Sequence, residues 1–567
     1  MGHRFPAQAR TGGDCKIPSI IFYDQEGNIR GAGAEAMDEG FLEQADDENF
    51  LKVEWFKLHL RPRNMDTSAV NDSDLPPLPK NKSALGVFAD FLKYLYDCTI
   101  RYIEQLGPLY TPGSEFWKSV ENNIEFILSH PNGWEGPQQN LMRKAAVLAG
   151  LVNEESSQVQ VQFVTEGEAS LHFCVTKGQV NMPGDSLIVV DAGGGTVDLS
   201  AYYHSGHGSF EEIARTRCLL QGSVYVSRRA HHFVAITEKL AKSKYSSEDD
   251  VKNIANLFDK TAKHVFRDSE LPSFIRFGAA RDRDPTVDIR NGQLKLAGNV
   301  VEEFFEPSMT ETVRAIKEMQ EESKRSISTV VLVGGFAANE WLFSNLKKEL
   351  AAFGMTVSRP DGHLNKAVAD GALSFYLDHF VSVRVAKYTY GVECRTHYNP
   401  KNLEHQRRSH TIIKNLAGRS VIPNSFNKIL KKGTLIHEET EFSRHYTQEA
   451  DLNRKNPFKN FTIDVLCYRG TANEPKWVDV EPRSSLLRLF QSLKLTKMLE
   501  DMYTKLCTIM ADASSAAKLQ DSSSSRHYTL NFSVVLLFGL TEFKAQVCWK
   551  ENVSRLTLIV MFCSFFL

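Results

Sequence analysis

The chain has 567 residues, too many for one compact core and enough for roughly three or four units of about 100 to 200 residues. Hydrophobic residues at 42% and charged residues at 24% exclude global disorder. With 67 basic against 69 acidic residues the formal net charge is -2, which leaves no general field for nucleic acid or an anionic membrane. The nine cysteines are scattered and odd in number, with no CxxC pair, so neither a disulfide scaffold nor a zinc site is expected. The start lacks the apolar core of a signal peptide, and cytoplasmic residence is expected. The apolar end, LTLIVMFCSFFL, is shorter than the roughly 20 residues of a membrane-spanning helix.

IPSIIFYDQEGNIRGAGAEA holds two short apolar runs joined by Glu-Gly-Asn, which predicts a hairpin turning at Gly27. Behind Ser83, the spacing of Leu85, Phe88, Leu92, Leu95 and Thr99 predicts a long helix closed by Gly107 and Pro108. A second helix is expected after Pro137, ending at Gly150. Strands alternate with helices from about residue 15 to 380, which predicts an α/β fold with helices covering the sheets. After about residue 383 short apolar runs between polar turns, such as KYTYGVEC and NFTIDVLCY, predict a small β-rich unit. From about 483 an irregular or helical tail is expected, with SLLRLFQSLKLTKMLEDMYTKL as an amphipathic helix and LQDSSSSRH as a linker. The tail, or at least its final fifteen or so residues, is expected to take no cooperative part in the fold.

Chemistry concentrates first in VVDAGGGTVDLS, residues 189–200. A buried strand delivers Asp191 to a turn of Gly193, Gly194 and Gly195, whose missing side chains let backbone N–H groups approach an anion. Thr196 adds a hydroxyl, and Asp191 and Asp198 are hard oxygen groups suited to a hydrated magnesium ion. The turn joins two strands, so it is neither a P-loop nor a dinucleotide fingerprint. A tight hairpin that uses its glycines only for backbone freedom is the competing structural account. In VVLVGGFAANEWL, Gly334 and Gly335 admit a flat group at a strand end and Phe336 is placed to pack on it, although strand-Gly-Gly-helix turns are common without ligands. Glu166 in FVTEGEASLHF follows an apolar run, and a lone carboxylate there is usually solvated. In NKAVADGALSFYL the small residues Ala367, Ala369, Gly371 and Ala372 suit close helix packing.

In order and spacing these four segments resemble the nucleotide-binding domain of the 70-kDa heat-shock protein family: its second phosphate motif, its adenosine motif and its two hinge motifs. LLQGSVYVSRR adds Gly222 in the place of a phosphate-side glycine. The resemblance implies a two-lobed, actin-like (ribonuclease H-like) ATPase domain, with lobes at 1–186 and 187–382, a β-rich domain at 383–482 in the place of a substrate-binding domain, and a tail at 483–567. It implies ATP or ADP with Mg2+ as cofactors, Glu166 and Asp191 as catalytic groups, and Asp191, Glu166 and Asp198 holding the metal through water. Nucleotide contacts fall to Asp191, Gly193, Gly194, Gly195, Thr196, Gly222, Gly334, Gly335, Phe336 and Asn365. A protein client or signalling partner is implied for the β-rich domain, with no nucleic acid and no membrane span.

The departures bear on activity. No residue before Ile17 matches the family's first Asp-x-Gly-Thr-Thr loop, Ala338 replaces a base-stacking arginine, and Asn365 replaces an aspartate. Lys52 and Lys57 compete for the place of the lysine that assists hydrolysis, and the two ends read as those of an incomplete form. The expectation is therefore a chaperone-like nucleotide-binding protein with weak or absent ATP hydrolysis. A non-catalytic scaffold of the same fold is the alternative, and a sugar or carboxylate kinase of the same clan a third reading that the β-rich segment disfavours.

Overall fold

The computed structural model describes residues 5–8, 16–62, 75–105, 112–178, 184–206, 208–236, 238–360, 364–438, 440–479, 502–521, 526–539, 542–552 and 555–559. The chain divides into two compact units, one of Met1–Trp134 with Leu141–Ser382 and one of Glu135–Asn140 with Val383–Leu567.

In the first unit, β1 (Ile20–Tyr23) and β2 (Ile29–Ala32) form the antiparallel hairpin expected, with Gly27 at φ 88°, and β3 (Leu51–Glu54) pairs on the other side of β1. The helix Ala84–Gln105 follows Ser83, whose hydroxyl accepts the Gly86 N–H at 3.1 Å. The expected closure at Gly107 and Pro108 lies outside the described residues. β4 (Phe126–His130) and β5 (Val161–Thr165) run parallel, so His130 and Thr165 end side by side.

The main sheet of this unit has β6 (Ser186–Ala192) at its centre. β7 (Val197–Gly206) pairs antiparallel on one side of it and continues to β8 (Ser209–Glu212) and β9 (Arg217–Leu219). A three-stranded sheet of β10 (Ser273–Arg276), β11 (Ile289–Arg290) and β12 (Gln293–Leu296) is separate. On the far side of β6, β13 (Thr329–Val333) and then β14 (Thr356–Ser358) run parallel.

Both faces of the main sheet are buried, which is why its strands read as continuous apolar runs. Ile188, Val190, Leu199, Ala201, Val330 and Leu332 pack on one face into the largest core. The helix Gly298–Glu322 joins that core through Val301, Phe305, Ile316 and Met319. Leu187, Val189, Tyr202, Val331 and Val333 face the other way, against Leu171, Phe173 and Cys174 of the helix Glu166–Thr176. The helix Ala367–Asp378 lies on that helix so closely that a Cβ on Gly371 would sit 1.8 Å from the Ala169 carbonyl oxygen. The small residues of NKAVADGAL thus serve backbone-to-backbone packing.

The division between units falls in β15 (Val381–Val385). The second unit holds two antiparallel sheets. One contains β16 (Thr389–His397), β17 (Ile413–Lys414), β18 (Ser420–Leu430), β21 (Phe461–Tyr468) and β22 (Tyr503–Ala511), with β19 (Leu435–His437) paired to β15. The other contains β20 (Glu441–Asp451), β23 (Lys518–Asp521), β24 (Arg526–Gly539), β25 (Glu542–Asn552) and β26 (Arg555–Ile559). Their inner faces share one core, in which Phe461 meets Phe532 edge-on at 4.8 Å and Tyr390 stacks on Phe543 at 5.5 Å.

This corrects the expectation of an irregular or helical tail. Residues 503–559 supply five strands, and β20 of the β-rich segment pairs along its whole length with β24. The physical reason is a period of two: Leu530, Phe532, Val534 and Leu536 are buried while alternate residues take the opposite face. The proposed amphipathic helix falls mostly on residues 480–501, outside the described residues, and its last part is strand β22. Of the final fifteen residues, 553–554 and 560–567 also lie outside them. Among the described residues no helix is long and apolar enough to cross a membrane.

Phe532→Ala tests the integration of these strands. The loss of a side chain 5% exposed is expected to cost about 3 to 5 kcal/mol. The measurement is the denaturant midpoint of the β-rich unit; an unchanged midpoint would mean that β24 is not part of its cooperative core.

Candidate carboxylate and glycine-turn site

The register of β6 and β7 places Asp191 directly opposite Asp198. Residues directly opposite in a ladder share a face, and like charges there repel. That face is the one covered by the helix Glu166–Thr176, so both carboxylates point toward its first turn. Asp191 is 4% and Asp198 1% exposed. Ser170 on that helix donates to Asp191 Oδ2 at 3.1 Å, and the Asn132 backbone N–H donates to Asp198 Oδ1 at 2.6 Å. Asp198 Oδ2 is buried with no donor in bonding geometry, although the Thr196 hydroxyl and Cys218 thiol lie close enough to ease its charge.

Burial, reinforced by the Glu166 charge, pushes both Asp191 and Asp198 up to about 7. Glu166 is the first residue of its helix, behind the N-cap Thr165, whose hydroxyl accepts the Glu168 N–H. Lys57 donates to Glu166 Oε1, and its ammonium lies 5.7 Å from the centre of the Trp134 ring. Burial alone would lower Lys57, but the charges of Glu166, Asp198 and Asp191 hold it above its ordinary value. Of the two candidate lysines, Lys57 is the one that stands at these carboxylates, whereas Lys52 pairs with Glu54 at 2.8 Å on its own strand.

Gly193, Gly194, Gly195 and Thr196 form the turn between β6 and β7, closed by the Gly193 N–H donating to the Thr196 carbonyl at 2.9 Å. The helix Ser223–Ile236 plants its first turn on this loop. Ser223 and Val224 N–H groups donate to the Gly193 and Gly194 carbonyls at 3.1 and 2.9 Å. Gly222 is required for that approach, since a Cβ there would sit 2.3 Å from the Gly194 oxygen. The turn's carbonyls are therefore spoken for. Gly194 is exposed, and a Cβ on it would meet nothing within 4 Å.

Val333 pairs with Asp191, so the second glycine turn begins at the same sheet edge. Gly334, at φ 93°, presses on it: an added Cβ would lie 2.3 Å from Asp191 Oδ1 and 2.4 Å from the Ala192 oxygen. Gly335 has open space beside it, and Ala338 is exposed. Phe336 is a correction. It is 5% exposed and packs in the main core against Phe305, 6.1 Å between centroids, so its ring is not presented to a ligand. Its position, one residue into a 310 turn after Gly335, turns the side chain inward. Asn365 stands in the turn Leu364–Lys366 ahead of the helix Ala367–Asp378.

The metal was expected to be held through water, not by direct ligation. Among the described residues no three His, Cys, Asp or Glu side chains converge to ligate an ion directly. Glu166 is held by Lys57, Asp191 by Ser170 and Asp198 by the Asn132 N–H. The sequence reading missed Asn132, Ser170 and Trp134. Only the parallel pairing of β4 and β5 brings the loop after His130 to the start of the Glu166 helix.

Two outcomes follow from this geometry. Gly334→Ala should cost about 1 to 3 kcal/mol through its positive φ and the contact with Asp191. Gly335→Ala, at φ −66° with open space, should stay within about 0.5 kcal/mol of the native protein or stabilise it, as urea midpoints would show. The raised aspartates set a pH slope. Between the ordinary 3.8 and about 7 the folded chain holds more protons than the unfolded one, so stability falls as pH rises through that window. Asp198→Asn should flatten the slope and raise the melting temperature above pH 7.

No protein-family model matches the chain. It is 24% identical to human heat shock 70 kDa protein 12A over 68% of its own length, and 22% identical to the mouse 12A protein over the same share. Its identity to human heat shock 70 kDa protein 12B is 21%, again over 68%. The alignments take in 66% of each relative, so the chain spans just under two thirds of the length of the curated proteins it matches. Low in identity but extensive, these matches show what the chain is similar to, the heat shock 70 kDa proteins 12A and 12B.

Proposed function

We propose that the chain binds ATP or ADP in an actin-like domain whose lobes are 1–186 and 187–382, as a chaperone-like protein of the 70-kDa heat-shock type with weak or absent hydrolysis. The observation that carries this reading is the meeting of two glycine turns at Asp191, at one edge of the main sheet. With the carbonyls of Gly193 and Gly194 turned to the helix Ser223–Ile236, the opposite side of the turn is left for an anion. The residues fit a nucleotide with its metal: the buried, donor-poor Asp198 Oδ2 and the raised Asp191 await a positive partner. Magnesium, when bound with the phosphates, supplies charge neutralisation between them. Asp191 and Asp198 are the residues that would hold such an ion through its water, with the Lys57–Glu166 ion pair beside them. The β-rich unit is the proposed contact for a protein client, in a cytoplasmic setting.

A scaffold without catalysis is favoured by one feature. Lys57 and Glu166 already satisfy each other, so neither charge is presented to a ligand.

Isothermal titration with ATP and ADP, with and without magnesium, decides between these readings. Binding is expected to be tighter with magnesium, and Asp191→Ala should remove that increment, about tenfold or 1.4 kcal/mol. Because the increment needs ionised carboxylates, it should fade as pH drops below about 7. No heat with either nucleotide up to roughly millimolar concentration, a limit near −4 kcal/mol, would leave the scaffold reading standing.

A further inference from the structure

The loop Pro131 to Trp134 touches two of the four side chains at this site, and the backbone next to a third, from a single stretch of chain. The Asn132 backbone holds Asp198, and the Trp134 ring lies under the Lys57 ammonium. Asn132 is 4% exposed, and its side chain makes the remaining link. Its Oδ1 accepts the N–H of Gly167, the residue after Glu166, at 3.2 Å. Its Nδ2 donates to the Leu199 carbonyl at 3.1 Å, to Ser200 Oγ at 3.0 Å and to the Arg217 carbonyl at 3.3 Å. One amide thus joins the first turn of the Glu166 helix to β7 and β9.

The fit around it is tight. A Cβ on Gly167 would lie 2.2 Å from Ser200 Oγ and 2.9 Å from Asn132 Nδ2, so helix and strand are in close contact at this point. An amide is suited to the task where a carboxylate is not, because it faces one N–H donor on its oxygen side and two carbonyls with a hydroxyl on its nitrogen side.

We propose that Asn132 is a positioning residue, whose side chain clamps the helix bearing Glu166 onto the strand bearing Asp198 and so fixes the spacing of the two carboxylates. The consequence for nucleotide binding rests on the function proposed above; the clamp itself does not. Asn132 acts through Glu166 and Asp198 and need not touch a ligand.

The test has two arms on the full chain. In the first, without ligand, hydrogen exchange is followed at amides 166–170 in the native protein, Asn132→Ala and Ile254→Ala, a core truncation elsewhere. Asn132→Ala is expected to speed exchange at these amides by about tenfold over the rest of the sheet, corresponding to about 1.4 kcal/mol of local opening. Ile254→Ala should lower stability without that selectivity. In the second arm, ADP is titrated with and without magnesium. Asn132→Ala should reduce the ratio of the two dissociation constants, whereas a merely structural loss weakens both alike. Should Asn132→Ala fail to fold, Asn132→Ser, which keeps one polar atom, replaces it in both arms. Exchange at 166–170 no faster than in Ile254→Ala overturns the clamp. Selective exchange with no nucleotide binding by the native chain upholds the clamp and removes the nucleotide reading.

Discussion

The constraint on which the site depends is the burial of two carboxylates directly opposite each other on adjacent strands. Asp191 and Asp198 share the face of β6 and β7 that the rest of the sheet uses for Leu187, Val189 and Tyr202. Placing two acids where apolar side chains belong costs on the order of a few kcal/mol, which appears as their shift to about 7. Everything immediately around them reads as compensation. Ser170 and the Asn132 N–H each give a hydrogen bond, and Lys57 supplies a positive charge that Glu166 holds in place. The compensation is partial, and partial compensation of buried charge is a frequent mark of a functional site.

The glycines divide by purpose once their surroundings are known. Gly222, Gly334 and Gly371 are places where one backbone lies against another, and each added Cβ would strike a main-chain oxygen at 2.4 Å or less. Gly194 and Gly335 face open space, and nothing in the protein itself demands glycine there. Close approach by something outside the chain is the remaining physical use for such positions. In the proposed reading the anion would approach at Gly194 and Gly335, while Gly222, Gly334 and Gly371 secure the frame around them.

Much of the main sheet was legible because buried strands flanked by glycine turns leave an unambiguous trace, as in LIVVDAGGG and TVVLVGG. The shared face of Asp191 and Asp198 was also within reach, since a four-residue turn between them fixes the pairing. Other parts were not legible, for physical reasons. Lys57 and Glu166 are 109 positions apart, and no local pattern distinguishes Lys57 from Lys52 before the fold brings one of them to the helix. Phe336 follows two flexible glycines, so its inward direction depends on the Phe305 and Trp341 rings that receive it. Residues 526–539 were misread because a run such as SVVLLF looks like a continuous apolar block. Its period of two emerges only with the preceding Leu530 and Phe532, and strand against helix cannot be decided for a short apolar run alone.

The resemblance to the heat-shock family and the site geometry carry different weights. At 21 to 24% identity the matched proteins show a similarity of sequence, and they leave the chemistry of individual residues to be argued from the structure. That argument favours binding over turnover. A hydrolytic site gains from charged groups poised to orient water at neutral pH, yet here burial raises two of the three acids to about 7 and the third is tied to Lys57. A positive ion brought to such a pair would favour the ionised form of both aspartates. Ligand binding would then relieve the cost that burial imposes, so the same pair that destabilises the empty sheet would make it more stable when filled.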